Sequence, residues 1–510
     1  MKLKNYTSRL YLACLVVFIV ILVFQSCKKS HSDIGKEVFK ETRNNVFKEV
    51  ETGVFVAKFR EAFAKKESGF KNPKFLRAFY EQNDYEPVLL MKHLPAGKLR
   101  EAVATITNAG THGIDPEVFK SKKLNSLLAT IYDKKAVKSV DEAYNVLIDL
   151  ELAAANAFTD YSNALQFGLI SPRKIYAQYY INTKRPDSAS FLAVFNTPDI
   201  KVFLDSVQPK SQEYIALQKA LKGNFIIPSK TAQESDRILK VNLERLRWKN
   251  RPADGKYVWV NIPDFSLDVM ENNKSVLKMK VCVGEGRGKE NIGDLKEYDE
   301  NDLKKDRYFN RETPQLNSLI HSVQVNPIWN IPESIATNEI TKHASNDPHY
   351  LSNNNIDVFK DGKKVEDPET IDWSQSGAGK IYAFKQRPGE DNSLGKIKFL
   401  FANQSSVYLH DTPAKEMFKQ NMRAVSHGCV RVEQPLELAN ALFGAGNKYE
   451  LIKKEMSATN PEAKDVVLKD KVPVYLVYYT CWQDSSGKIQ YRNDIYGQDE
   501  VLYTYMQKMI

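Results

Sequence analysis

The hydrophobic period of this chain changes once, and that change bounds what it can fold into. From about Val54 to Leu221 apolar residues recur at helical spacing, as in the run from Asp141 to Leu152 that continues through alanines to Phe158. From Lys256 onward they alternate, in Lys256–Ile262, Phe265–Met270 and Val276–Val283, with Pro263-Asp264 and Asn272-Asn273 as the turns between them. A run of helices followed by a run of strands is an α+β pattern. We therefore expect a helical domain over 51–250, a break at Lys249–Gly255 and a β-rich domain over 256–510. The amphipathic stretch Glu234–Trp248 leads into that break. Further strands are expected at Ile320–Trp329, Lys396–Asn403 and Val407–His410, with a last hairpin of Pro473–Trp482 and Ile489–Arg492 about Asp484–Gly487. Between them, residues 332–395 read as a lid or capping insertion with a helix-like start, Pro332–His343, followed by polar loops. The turn clusters at 111–116 and 168–172 punctuate the helical half, and His112 reads as a turn residue.

With 510 residues the chain has room for two to four domains, and 42% hydrophobic with 27% charged residues excludes both a disordered chain and a polytopic membrane protein. Lys and Arg exceed Asp and Glu by 73 to 63, a net +10 that favours anionic surroundings. No Lys/Arg-rich block and no helix-turn-helix or RNA-binding signature is present, so nucleic acid is not an expected partner.

Lys2, Lys4 and Arg9 precede an uncharged apolar run from Leu10 to Phe24, the layout of a signal peptide. The run ends Phe24-Gln25-Ser26-Cys27-Lys28-Lys29, which suits either a lipoprotein cleavage site at Cys27 or an uncleaved signal anchor over 1–27, with 28–50 as a tether. Both place the remainder outside the cytoplasm, tethered to a membrane in the periplasm or cell envelope. Cys14 falls in the apolar run, leaving Cys282, Cys429 and Cys481, which cannot all pair.

Gly284-Glu285-Gly286-Arg287-Gly288 follows a strand, but no helix and no Lys-Ser/Thr pair closes it, so it reads as a loop rather than a phosphate cradle. Ser426-His427-Gly428-Cys429-Val430-Arg431 carries more chemistry. A thiol after a glycine, at the start of an apolar strand, sits where backbone N–H groups can converge on an oxyanion. Its reactivity at neutral pH needs a base or a positive neighbour to raise the thiolate fraction. His427 and His410 are the candidate bases. His410 ends a strand, so the sheet fixes its ring, and the turn Asp411-Thr412-Pro413 offers carbonyls to its second nitrogen; His427 lies in the loop that must offer amides. Other readings of Cys429 are a buried small hydrophobe and, with His410, Asp411 and His427, a zinc ligand, although that spacing matches no familiar zinc pattern.

At these residues the sequence resembles the L,D-transpeptidases, cysteine enzymes with a YkuD-type catalytic domain that cross-link bacterial peptidoglycan. The resemblance rests on His410-Asp411-Thr412-Pro413 followed by Arg423 through Arg431, and extends to Asn326–Pro332, to Arg387-Pro388-Gly389, to Leu394–Phe399 and to the Tyr478–Gly497 region. His112–Pro116 and Asn242–Trp248 look like the helical scaffold of the large periplasmic subgroup. The resemblance implies that Cys429 is the nucleophile and His410 its base, with Ser426 and His427 completing the motif. The Gly428 and Cys429 amides would form the oxyanion hole, and Tyr408, Arg431, Arg423, Trp329 and Asn326 would line or brace the substrate cleft. It implies attack on the L-to-D amide of a stem peptide, release of D-alanine, a thioester, and aminolysis by a neighbouring stem, without metal or cofactor. It also implies carbapenem sensitivity and contact with other wall-synthesis proteins. An L,D-carboxypeptidase and a catalytically idle wall-binding lipoprotein are the alternatives. The peptidoglycan-binding module usual in that subgroup has no room between Leu221 and Arg247.

Overall fold

The computed structural model describes residues 33–250, 254–286, 296–298, 304–306 and 308–510, so the apolar run, Cys27, and Arg287 and Gly288 of the glycine-rich loop lie outside the described residues. Two compact units are present. The first comprises the described residues up to Ala109, Pro116–Asn163 and Pro186–Gln208; the second comprises Gly110–Asp115, Ala164–Arg185 and everything from Pro209. The chain thus does not divide at 249–255, because the segments just before that break fold with the strands. Buried charge explains part of this. Helix α1, Ala232–Arg247, places Arg245 at 1% exposure, where its guanidinium meets Asp499 at 2.5 Å, and Asn242 bonds Thr480 at 2.8 Å. An uncompensated buried guanidinium costs several kcal/mol, so the helix is bound to the element that carries its counter-ion. A helical period reveals a helix but not the core it joins.

The first unit is helical. Phe55, Phe59, Phe63 and Tyr80 fill its centre, with Phe59 and Tyr80 edge to face at 4.9 Å. The buried Glu151 accepts from the Tyr80 hydroxyl at 2.7 Å and from the Leu89 and Leu90 amides at 3.1 and 2.8 Å, capping the start of the helix Val88–His93. Glu151 lies on the helix Val140–Phe167, which runs past the expected Phe158.

The second unit is built on strands β1 Lys256–Asn261, β2 Ser266–Glu271, β3 Lys274–Gly284, β4 Leu316–Val325, β5 Ile397–Phe401, β6 Leu409–His410, β7 Ala424–Ser426, β8 Val430–Val432 and β9 Lys464–Val477. Pairing runs β3-β8-β6-β5-β4-β9-β1-β2, and β2 returns to β3, so eight strands close a ring while β7 adds to β3. The β2–β3 hairpin turns at Asn272 and Asn273 with φ of 49° and 64°, the left-handed pair that a two-residue hairpin requires. Val258, Val260, Leu267, Val281, Val323, Phe399, Leu409, Val430 and Val474 are buried in one core, shared with Leu438 and Leu442 of the helix Pro435–Phe443.

Strand β4 stops at Val325, short of the expected Trp329, because Asn326 turns through φ 48° and Pro327 offers no N–H. Trp329–Ile331 instead joins Ala383–Gln386, Ile356–Lys360 and Lys363–Lys364 in a separate antiparallel sheet. With helical segments between Glu333 and Asn353, this sheet buries its own core of Ile335, Ile340, Leu351, Val358, Trp373 and Phe384. The expected polar loops are therefore interrupted by three short strands and several helical turns. Strands of two to five residues are too short to display a period. Within the helical start, Ala336–Ile340 winds as a π-turn.

Candidate active site

Strands β6 and β8 run parallel, pairing Leu409 with Val430 and His410 with Arg431, and the Val430 N–H donates to the Tyr408 carbonyl at 3.1 Å. Leu409, Val430 and Val432 point into the core, so the period of two turns Tyr408, His410, Cys429 and Arg431 to the other face. Strand β5 sets Lys398 beside His410, and β3 sets Cys282 beside Arg431. A row Lys398, His410, Arg431, Cys282 thus crosses four strands, with Tyr408 and Cys429 next to it.

His410 is 4% exposed, and its Nδ1 lies 2.5 Å from the Asp411 carbonyl oxygen. A carbonyl only accepts, so Nδ1 carries the proton and Nε2 keeps the lone pair. Burial, helped by the Arg431 cation, pushes the imidazole down to about 3. The turn beneath is over-determined: Asp411 Oδ2 accepts from the Lys396 amide at 2.9 Å, Lys415 pairs with Oδ1, and a Cβ on Gly395, at φ 60°, would lie 2.4 Å from Oδ2. Only glycine admits that approach.

Cys429 is half-buried. Burial pushes its thiol up, while a backbone bond from Tyr408 and the cations of Lys398 and Arg431 pull the other way. Burial and then the neighbouring Cys429 raise the Tyr408 hydroxyl. The Tyr408 ring stands edge-on to His410 at 5.8 Å, with Lys398 Nζ 4.1 Å from its centroid. The raised thiolate fraction expected from the sequence is absent from this resting geometry: thiol and imidazole are both neutral, because burial disfavours charge on either.

The turn between β7 and β8 is tied internally. Ser426 Oγ donates to the Cys429 carbonyl at 2.6 Å and accepts from the Gly428 N–H at 3.2 Å. Gly428 sits at φ 107°, and its carbonyl accepts from Thr313 Oγ1 at 2.8 Å, which in turn accepts from the Gly284 N–H at 2.8 Å. The Gly428 amide is therefore turned onto Ser426 rather than offered to an oxyanion. The Cys429 N–H has no acceptor among the described residues. His427 faces the capping insertion: its Nε2 is 2.7 Å from Glu339 on the π-turn, and Arg311 bridges Glu339 at 3.4 Å to Glu285 at 3.1 Å. The structure separates the two histidines, one beside the thiol's strand and one on the cap.

The remaining expected cleft residues divide. Arg431 belongs to the row; its Nη1 is 2.9 Å from the Met417 sulfur, and its buried Nε has no acceptor among the described residues. Arg423 is a brace, donating to the carbonyls of Val281, Gln420 and Phe265. Asn326 is 4% exposed and holds the Glu455 carbonyl at 2.9 Å, so its amide is used for packing. Trp329 packs against the cap's own core. His112 is more than a turn residue, since it is buried, lies 3.0 Å from the Tyr214 hydroxyl, and its carbonyl accepts from Arg247 at 2.8 Å. Sequence reasoning missed Lys398, Thr313 and Glu339, whose positions depend on strand register and on a fold across about ninety residues. Among the described residues no three His, Cys, Asp or Glu side chains converge as a metal site.

Residues 255–448, which contain this whole cluster, match the model of the L,D-transpeptidase catalytic domain, YkuD, and residues 74–221 match the Scaffold domain. The chain carries an L,D-transpeptidase catalytic domain preceded by a Scaffold domain. It is also 27% identical over 326 residues to the "Putative L,D-transpeptidase" of Haemophilus influenzae, covering 64% of this chain and 61% of that protein. The chain thus spans about three fifths of that relative's length.

Proposed function

We propose that this chain is a peptidoglycan L,D-transpeptidase in which Cys429 is the nucleophile and His410 the general base. The observation that carries this reading is the shared face of Tyr408, His410 and Cys429, with Nδ1 of His410 committed to Asp411 so that Nε2 is left to take a proton. Because the resting pair is neutral, sulfur attack and proton transfer proceed together. The thiol proton passes to His410 Nε2 as sulfur bonds the carbonyl carbon of the L-to-D amide, and the Cys429 N–H is placed to meet the oxyanion. Collapse breaks the C–N bond, and D-alanine leaves with the proton from His410. A stem amine then attacks the thioester, loses its proton to His410, and the thiol is restored. One amide replaces another, so no ATP is consumed. Lys398 and Arg431 supply positive charge for the carboxylates of such stems.

We place this chemistry in the periplasm, with the protein tethered through lipidated Cys27. Cys27→Ser should leave a heavier, unprocessed precursor; an unchanged mass would favour a signal anchor. The reaction is tested by incubating the protein with disaccharide-tetrapeptide and weighing the products. Cross-linked dimer plus D-alanine supports the reading. Tripeptide plus D-alanine alone would make the protein an L,D-carboxypeptidase, and no D-alanine would leave it a wall-binding protein.

A further inference from the structure

Strand β1 alternates Val258 and Val260, turned into the barrel core, with Tyr257, Trp259 and Asn261 on the outer face. Register sets Trp259 between Tyr475 of β9 and Asp268 of β2. Trp259, half-buried, stacks on the buried Tyr479 at 6.0 Å and 24°, with the half-buried Tyr475 at 5.9 Å and the buried Tyr257 at 6.2 Å. The hairpin Cys481–Gln483 and Ile489–Tyr491 brings Trp482 to the same place, with the Arg492 guanidinium 5.3 Å from its ring and Arg492 held by Asp264 at 2.7 Å. Tyr257, Trp259, Tyr479 and Trp482 line a cleft of about 590 Å³, within the about 300–1,000 Å³ typical of small-ligand sites. Asp268 sits in it with a side chain only 16% exposed, fixed by Ser275 Oγ at 2.7 Å, with Lys278 at 3.9 Å.

Chemistry narrows the occupant. Four carboxylates, Glu213, Asp264, Asp268 and Asp484, line the cleft against Lys274 and Lys278, which disfavours an anionic ligand. Strands β1 and β2 are paired on both sides within the closed ring, so no edge is free to add a peptide strand. Aromatic faces beside hydrogen-bond acceptors suit a neutral molecule with apolar C–H faces and hydroxyl or amide donors on its rim, which describes a pyranose. The cleft shares no lining residue with the Cys429 cluster, although its strand β3 pairs further along with β8.

We propose that this cleft between β1, β2, β3 and the Trp482 hairpin binds the glycan strand of peptidoglycan, a β-1,4-linked polymer of N-acetylated amino sugars. The identity of the polymer rests on the function proposed above. The cleft would hold the polymer while stems reach Cys429 elsewhere on the barrel, the task for which the sequence leaves no dedicated module.

The full chain in detergent is titrated by calorimetry with a hexamer of β-1,4-linked N-acetylglucosamine and with stem-stripped glycan strands whose lactyl carboxylates are capped as amides. Wild type should bind both. Trp482→Ala, on the hairpin, and the isosteric Asp268→Asn should each weaken binding about tenfold, the scale of one lost aromatic or charge-assisted contact. Both variants should turn over a sugar-free tetrapeptide at the wild-type rate while their KM on intact sacculi rises. If wild type turns over the tetrapeptide but binds neither glycan at millimolar concentration, or if both variants bind like wild type, the cleft proposal is overturned. If glycan binding depends on Trp482 while no tetrapeptide is processed, the cleft stands and the transpeptidase reading falls.

Discussion

A test of the Cys429–His410 pair is the pH dependence of thiol alkylation by iodoacetamide, in wild type and in His410→Ala. An ordinary thiol titrates near 8.5, and burial pushes Cys429 upward, so at pH 7 at most about 3% is thiolate. His410, held down to about 3, is protonated in roughly one molecule in 10⁴ at that pH. Moving the proton from sulfur to imidazole spans at least about five pH units, or about 7 kcal/mol. A Coulomb attraction between the charged forms, about 4 kcal/mol for unit charges in contact at an effective dielectric of about 20, does not offset that, so the neutral pair is the favoured resting form. The sign follows: alkylation of wild type should rise about tenfold per pH unit from 6 to 8, with no plateau on the acid side. His410→Ala should keep that alkaline limb while acylation by substrate falls about 10²-fold or more, because the base acts on the reacting thiol and not on the resting one. A pH-independent alkylation rate between 5 and 8 that vanishes in His410→Ala would refute the neutral pair and restore a preformed thiolate.

Gly428→Ala forces a side chain onto φ 107°; strain of about 1–3 kcal/mol in the catalytic turn should cut the D-alanine release rate about five- to 150-fold, and a rate within twofold of wild type would mean the turn is not strained by a Cβ. Asp499→Asn leaves the buried Arg245 without its counter-ion and should cost about 3–5 kcal/mol of stability in denaturant titration; a loss under about 1 kcal/mol would mark the pair as dispensable. A carbapenem should add once, at Cys429, because Cys282 is fully buried and burial pushes Cys481 up to about 12; peptide mapping to either of those would displace the assigned nucleophile.

How much was legible follows from how local each signal is. The hairpin at Asn272-Asn273 is read directly, since two consecutive left-handed residues are a property of those side chains. Cys429 and His410 are legible because each begins or ends a strand whose alternation fixes which way it points. Lys398 is not, because nothing in Ile397–Phe401 says that β5 will pair with β6 in the register that sets Lys398 beside His410. Glu339 is hidden for a related reason: it meets His427 only through a π-turn in an insertion whose short strands carry no period. Asn326 bonds the Glu455 carbonyl and Trp329 packs on the cap's core because the strand breaks at Asn326-Pro327, and neither partner is visible in the local sequence.

The parallel pairing of β6 with β8 sets the distance along the chain between the proposed base and the proposed nucleophile. Antiparallel neighbours can be joined by two residues, but parallel ones need a crossover of about a dozen or more. His410 and Cys429 therefore cannot be brought close in sequence without losing the shared face, and the segment between them is a spacer with a minimum length and no sharp maximum. Each doubling of such a loop costs only about 0.6 kcal/mol in closure entropy. The pair Asn421–Met422, beyond the Lys415–Asp411, Met417–Arg431 and Gln420–Arg423 contacts and before β7, is thus the part of this motif where inserted residues are best accommodated. A reporter peptide or an affinity handle placed there would sit a few residues from the nucleophile without entering its hydrogen-bond network.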